Sequence, residues 1–118
     1  MKKWLRGLSI SIIVLGSLHN LFTFYITRYY ESVGSMYQKI FVEMFLGTGT
    51  AVILFGILSL KAIKLLPDKP AEAIFIIRCS GGFVSLVGLG AIWITPWNPM
   101  AYLVLLNGAL IIIIIRES

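Results

Sequence analysis

The chain offers few groups that could do chemistry. Its 118 residues include one histidine, one cysteine and five carboxylates. Four polar residues stand out because they fall inside long apolar runs: His19, Asn20, Glu43 and Asn107. Ionisable side chains in such runs are costly to hold in lipid, so they are candidate functional residues. A histidine beside a carboxylate is the usual ingredient for proton handling near neutral pH. In the first run, Gly16, His19, Asn20, Thr23 and Thr27 recur at intervals that share one helix face. In the second, Glu43, Gly47, Thr50 and Leu54 make a comparable face. With both faces turned inward, His19 can reach Glu43, with Asn107 across the bundle. Phe22, Phe45, Trp93 and Tyr102 then frame a polar pocket in the outer half, suited to a flat or apolar ligand. The alternative is structural. It has His19 bonded to a backbone carbonyl, Glu43 at the interface, and the two asparagines as packing residues.

Other chemistries lack their parts. One histidine and one cysteine cannot build a structural zinc site or a bis-histidine haem site within one chain. No phosphate loop, nucleophile elbow or paired metalloprotease histidines occur. No metal or cofactor is therefore expected, and no residue is assigned as catalytic. Cys79 reads as a small packing residue, and Arg78 beside it as a side chain that snorkels to the interface.

The elements that position these residues follow from composition. Hydrophobic residues make up 58% of the chain and charged ones 13%, and mean hydropathy is +0.94. A soluble domain carries roughly 25% charged residues, and one this small could not bury so much apolar surface. Disorder, collagen-like repeats and a disulfide scaffold are excluded as well. The reading is an integral membrane protein of a single domain, 1–118. Four apolar runs, roughly 7–26, 40–60, 73–94 and 100–115, reach the length of about 20 residues that a membrane crossing asks for. Continuous apolar runs in lipid must be helical. Short connections make neighbours antiparallel, which predicts an all-α, up-down-up-down four-helix bundle.

Punctuation supports these limits. Ser35 and Gln38 fit a capping box at the start of helix 2. Leu66-Pro67-Asp68-Lys69-Pro70 ends helix 2 and opens helix 3, where Glu72 suits the positive end of the helix dipole. Thr95-Pro96-Trp97-Asn98-Pro99 separates helices 3 and 4, with Asn98 as the cap and Pro99 as the first helical residue. Gly81, Ser85 and Gly88 lie on one face of helix 3, and Gly47 and Ala51 form a small pair in helix 2; both patterns permit close helix approach.

Charge gives orientation. Lys2, Lys3, Arg6, Lys61, Lys64, Lys69, Arg78 and Arg116 fall on one side, against Arg28 and Lys39 on the other. Both termini are then expected in the cytoplasm of a prokaryote, with the protein in its plasma (inner) membrane. The net charge of +5 thus reads as a topology signal and an attraction to anionic lipid head groups, not as a nucleic-acid footprint. The aromatics lean the other way. Phe22, Phe24, Tyr25, Tyr29, Tyr30, Tyr37, Phe41, Phe45, Trp93, Trp97 and Tyr102 all fall near the outer interface, as an aromatic belt does.

Two stretches carry a family resemblance: Leu15-Gly16-Ser17-Leu18-His19-Asn20 and Val42-Glu43-Met44-Phe45-Leu46-Gly47. With four short antiparallel spans, the chain resembles the DoxX-like small membrane proteins. That resemblance implies a quinone-associated or redox-accessory membrane role. The family pattern often has a basic residue near the end of helix 1, where this chain has His19 and Asn20. The small multidrug transporters share the length but carry a carboxylate in helix 1, which is absent here.

The leading functional expectation is a multi-pass membrane protein without catalytic signature: an accessory or assembly subunit, or a binder of a lipid- or quinone-type small molecule. The alternatives are an oligomeric proton-coupled transporter, or a membrane isomerase or quinone-linked oxidoreductase using His19 and Glu43. Expected partners are the lipid bilayer, further copies or a larger membrane complex, and an apolar small molecule or quinone.

Overall fold

The computed structural model describes residues 1–29 and 35–116, and among them every regular element is a helix. These are α1 (Lys2–Tyr29), α2 (Ser35–Leu65), α3 (Pro70–Ile94) and α4 (Pro99–Arg116). The helices outrun the apolar windows read from sequence because hydropathy fades before any helix breaker arrives. α2 continues through Lys61 and Lys64 to Leu65, and stops only at the residue pair Leu66-Pro67. α3 begins on Pro70, with Glu72 in its first turn reaching Lys69 at 3.6 Å. α4 begins on Pro99, and the Met100 amide donates to Asn98 Oδ1 at 3.0 Å. That is the expected cap, and it satisfies one of the orphan N–H groups at the helix start. The Ser35 cap, Thr27 of the α1 stripe and the aromatics Phe24, Tyr29, Tyr30 and Phe41 lie outside the residues whose side chains are described.

All four helices are long and apolar enough to cross a membrane. Large aliphatic side chains such as Leu86, Leu103 and Ile113 stand on the outside, an apolar surface that suits lipid or a neighbouring membrane helix. The chain is an integral membrane protein.

Packing runs through two antiparallel pairs, α1 with α2 and α3 with α4. α2 joins α3 less extensively, and α1 meets α4 through a thinner seam still. Small residues set the distances. A Cβ added at Gly16 would fall 2.9 Å from the Gly49 carbonyl oxygen, and one at Gly56 would fall 3.1 Å from the Ser9 carbonyl oxygen. On the other pair, a Cβ at Gly81 would fall 3.0 Å from the Gly108 carbonyl oxygen, and one at Gly88 would fall 2.5 Å from the Leu105 nitrogen. The expected Gly81–Ser85–Gly88 face therefore does meet a helix, α4. Gly82 and Gly90 have nothing within 4 Å. Leu5, Ile12, Val52, Ile63, Ile77, Val84, Ile111 and Ile115 fill the space between as one buried cluster drawn from all four helices.

Gly88 and Gly90 make a controlled comparison. Alanine at either gains intrinsic helix propensity of about 1 kcal/mol over glycine. At Gly88 the added methyl must push the α4 backbone away, an overpacking cost of about 1–3 kcal/mol. Thermal unfolding in detergent should show Gly88→Ala melting below the parent and Gly90→Ala at or above it. Equal midpoints for the two would mean that the α3–α4 contact is looser than described.

Candidate functional site

The polar stripe of α1 faces α2. Gly16 lies against Gly49 and Ile53, and three residues on, the His19 Nε2 is 3.0 Å from the Phe45 carbonyl oxygen. The His19 and Phe45 rings stack with centroids 5.0 Å apart and planes 4° from parallel. The Asn20 amide nitrogen donates to Thr50 Oγ1 at 3.3 Å. Thr23, fully buried, donates to the His19 carbonyl at 3.1 Å. A second polar contact closes the same seam lower down. The Ser9 and Ser59 hydroxyls are 2.8 Å apart, both buried, and Ser9 also lies 2.8 Å from the Leu5 carbonyl.

Asn20 is held in an unusual way. Its Oδ1 is buried and has no hydrogen-bond partner. The atom presses on Gly49, where a Cβ would overlap it outright. Glycine leaves Cα–H hydrogens facing that oxygen, a weak contact common between close-packed helices. Gly49 is thus part of the polar contact although sequence reasoning passed it over. Its spacing of seven residues from Gly56 was the available signal, since that interval returns to the same helix face.

Glu43 lies elsewhere. It is exposed and makes no hydrogen bond or ion pair among the described residues. Of the face expected to turn inward on α2, Gly47 has nothing within 4 Å and Leu54 is 53% exposed; only Thr50 joins α1. The line that does turn inward is Phe45, Gly49, Val52, Gly56, Ser59 and Ile63, with alternating steps of four and three. Depth explains the freedom of Glu43. Phe55 stacks on Phe83 with centroids 4.2 Å apart, and counting outward equally along both helices sets Glu43 beside Thr95, the residue that caps α3.

The remaining expected residues separate. Asn107 is buried, but its amide donates to the Leu103 carbonyl of its own helix at 2.7 Å. Of the four expected lining residues, only Phe45 touches His19. Phe22 is half exposed and Trp93 is 89% exposed. Tyr102 turns its hydroxyl to the Pro96 carbonyl at 2.8 Å, bracing the turn before α4. A surface depression of about 470 Å³ lies at the first turns of α3, between Ala71, Glu72, Phe75 and Ile76, far along the bundle from His19. Among the described residues, no three or more His, Cys, Asp or Glu side chains gather closely enough to hold a metal ion.

No protein-family model, curated protein or solved structure matches this chain.

The geometry makes His19 a clasp between α1 and α2. His19→Ala should lower stability by about 1 kcal/mol through the lost bond, because the Phe45 carbonyl keeps its partner within α2. Glu43→Gln should change it by less than about 0.5 kcal/mol, as surface changes do. In a double-mutant cycle the two effects should add. A coupling above about 0.5 kcal/mol, read from denaturation in detergent, would show that the two side chains meet.

Proposed function

We propose that the chain is a non-catalytic membrane subunit that crosses the bilayer four times and assembles with other membrane chains or with further copies of itself. The observation that carries this reading is the destination of its membrane-embedded polar groups. His19, Asn20 and Ser9 all reach across to α2, onto Phe45, Thr50 and Ser59. Each tie fastens one helix to the next, the ordinary use of polar side chains between membrane helices.

An acid–base enzyme or a proton-coupled transporter asks something different of the same residues. It needs His19 within reach of Glu43, directly or through one water. The stacked ring of His19 on Phe45 and the exposed position of Glu43 give those readings less support. A resident quinone or lipid is the second reading, and the resemblance to DoxX-like proteins favours it. The outer aromatics support it too, because Trp93, Trp97 and Tyr102 offer flat surfaces at one end of the bundle. α2 is the least buried helix over its apolar stretch, which leaves it the widest face for a neighbour.

The proposed setting is a prokaryotic plasma membrane with both termini cytoplasmic, on the eight-to-two division of basic residues. In a Cys79→Ser background, Asn98→Cys should react with an impermeant maleimide on intact cells, and Asp68→Cys only after permeabilisation. The reverse pattern would invert the protein.

Light scattering in mild detergent, with extraction of bound lipids, tests the assignment itself. The expected result is a protein mass well above the 13.1 kDa of one chain, without stoichiometric quinone. A monomer that retains one quinone would transfer the assignment to ligand binding.

A further inference from the structure

Each helix contributes an exposed basic side chain to one common depth: Arg6, Lys61, Arg78 and Arg116. The Ser9–Ser59 contact aligns α1 with α2. Counting three residues toward the N-terminus of α1 and three toward the C-terminus of α2 reaches Arg6 and Ala62, beside Lys61. The Phe55–Phe83 stack aligns α2 with α3, and six residues in the same direction bring Lys61 level with Ile77, beside Arg78. Gly81 lies against Ile112; three residues further, Arg78 is level with Ile115, beside Arg116.

Arg6, Lys61, Arg78 and Arg116 are all exposed, and none forms an ion pair among the described residues. Close to them along the chain, Leu5, Ile63, Ile77 and Ile115 are fully buried, so the backbone carrying the ring is firmly packed. Lys2, Lys3, Lys64 and Lys69 extend the charge beyond the ring, and among the described residues only Lys69 has an acidic partner, Glu72. Acidic residues are divided between the ends: Asp68, Glu72 and Glu117 here, Glu31 and Glu43 at the other. Eight basic against three acidic here, and two against two there, put the whole net charge of +5 at this end.

We propose that this ring binds the head groups of anionic phospholipids and selects them over zwitterionic lipids. Three of the four members are arginine, whose planar fork matches two phosphate oxygens at once. The side chains stand at the rim of the apolar surface, where a diester phosphate sits while its acyl chains lie along the helices. Trp4 and Phe75, both largely exposed at this end, suit the ester and glycerol layer next to those phosphates. Basic side chains at a membrane surface attract anionic lipid within a Debye length, so the preference must weaken with salt. It does not depend on what else the protein assembles with.

Thermal unfolding of the full chain in phosphatidylcholine nanodiscs, with and without phosphatidylglycerol, tests it. Lipid that binds only the folded bundle raises the midpoint, here by about 5 °C, and about 0.5 M salt should remove most of that rise. The combined variant Arg6→Gln, Lys61→Gln, Arg78→Gln, Arg116→Gln should lose the rise. The variant Lys2→Gln, Lys3→Gln, Lys64→Gln should keep at least half of it. Should the fourfold variant fail to fold, native mass spectrometry of the parent and of Arg78→Gln gives a second measure. The parent should retain phosphatidylglycerol over phosphatidylcholine at least threefold more than their ratio in the nanodisc, and Arg78→Gln should retain less. No rise and no enrichment in the parent would overturn the proposal. So would an undiminished rise in a folded fourfold variant, or the same rise from inorganic phosphate in place of the lipid.

Discussion

Lipid gives helices no reason to stay together except close contact, because hydrocarbon tails solvate leucine as well as another leucine does. In this chain that contact is made by backbone. Gly16, Gly49 and Gly56 bring α1 and α2 together, and Gly81, Gly88 and Gly108 do the same for α3 and α4. The polar ties depend on this approach. Serine is a short side chain, so Ser9 and Ser59 can share a hydrogen bond only where the neighbouring backbones nearly touch. The Asn20 amide likewise lies across α2 only because Gly49 has no side chain to exclude it.

From that constraint follows the division of labour among the polar residues. Inside the seam they are short or flat: serines, threonines, one asparagine, and a histidine lying parallel to a phenylalanine ring. Full charges are kept at the ends. Glu43 stands level with the cap of α3, and eight of the ten basic residues collect at the opposite end. No charged side chain is buried in the described core, which is what the cost of an unpaired ion in hydrocarbon demands.

How much of this is legible in the sequence differs by level. The apolar runs, the proline-marked connections and the Asn98 cap read directly, because each depends on residues adjacent in the chain. The face of α3 also reads, since Gly81, Ser85 and Gly88 repeat on one face there, although Gly82 and Gly90 stand off it. The face of α2 does not. Choosing it from Glu43 selects Gly47, Thr50 and Leu54, of which only Thr50 meets α1, whereas size governs, and the seam takes Gly49, Gly56 and Ser59. Both lines contain glycine, and the sequence alone does not say which one α1 approaches. The partner of His19 is a backbone carbonyl, and every residue has one of those. Only the register of two helices singles out Phe45.

The unequal helix lengths reach beyond the protein. α4 has 18 residues and α2 has 31, about 27 Å and 46 Å of helix at 1.5 Å per residue. Pro99 and the Asn98 cap fix where α4 starts, so at that end it has no spare turn with which to lean. A hydrocarbon layer thicker than α4 must thin around that side of the bundle, while beside α2 the layer meets a helix long enough to tilt or to project. Over the described residues, the bilayer thickness that suits the α4 flank is therefore smaller than the thickness that suits α2. Thicker membranes bear an elastic penalty on one flank, of a fraction of a kcal/mol per ångström of mismatch. That penalty alone would steer the molecule toward thinner regions and turn its α4 side toward any neighbour that shares the deformation.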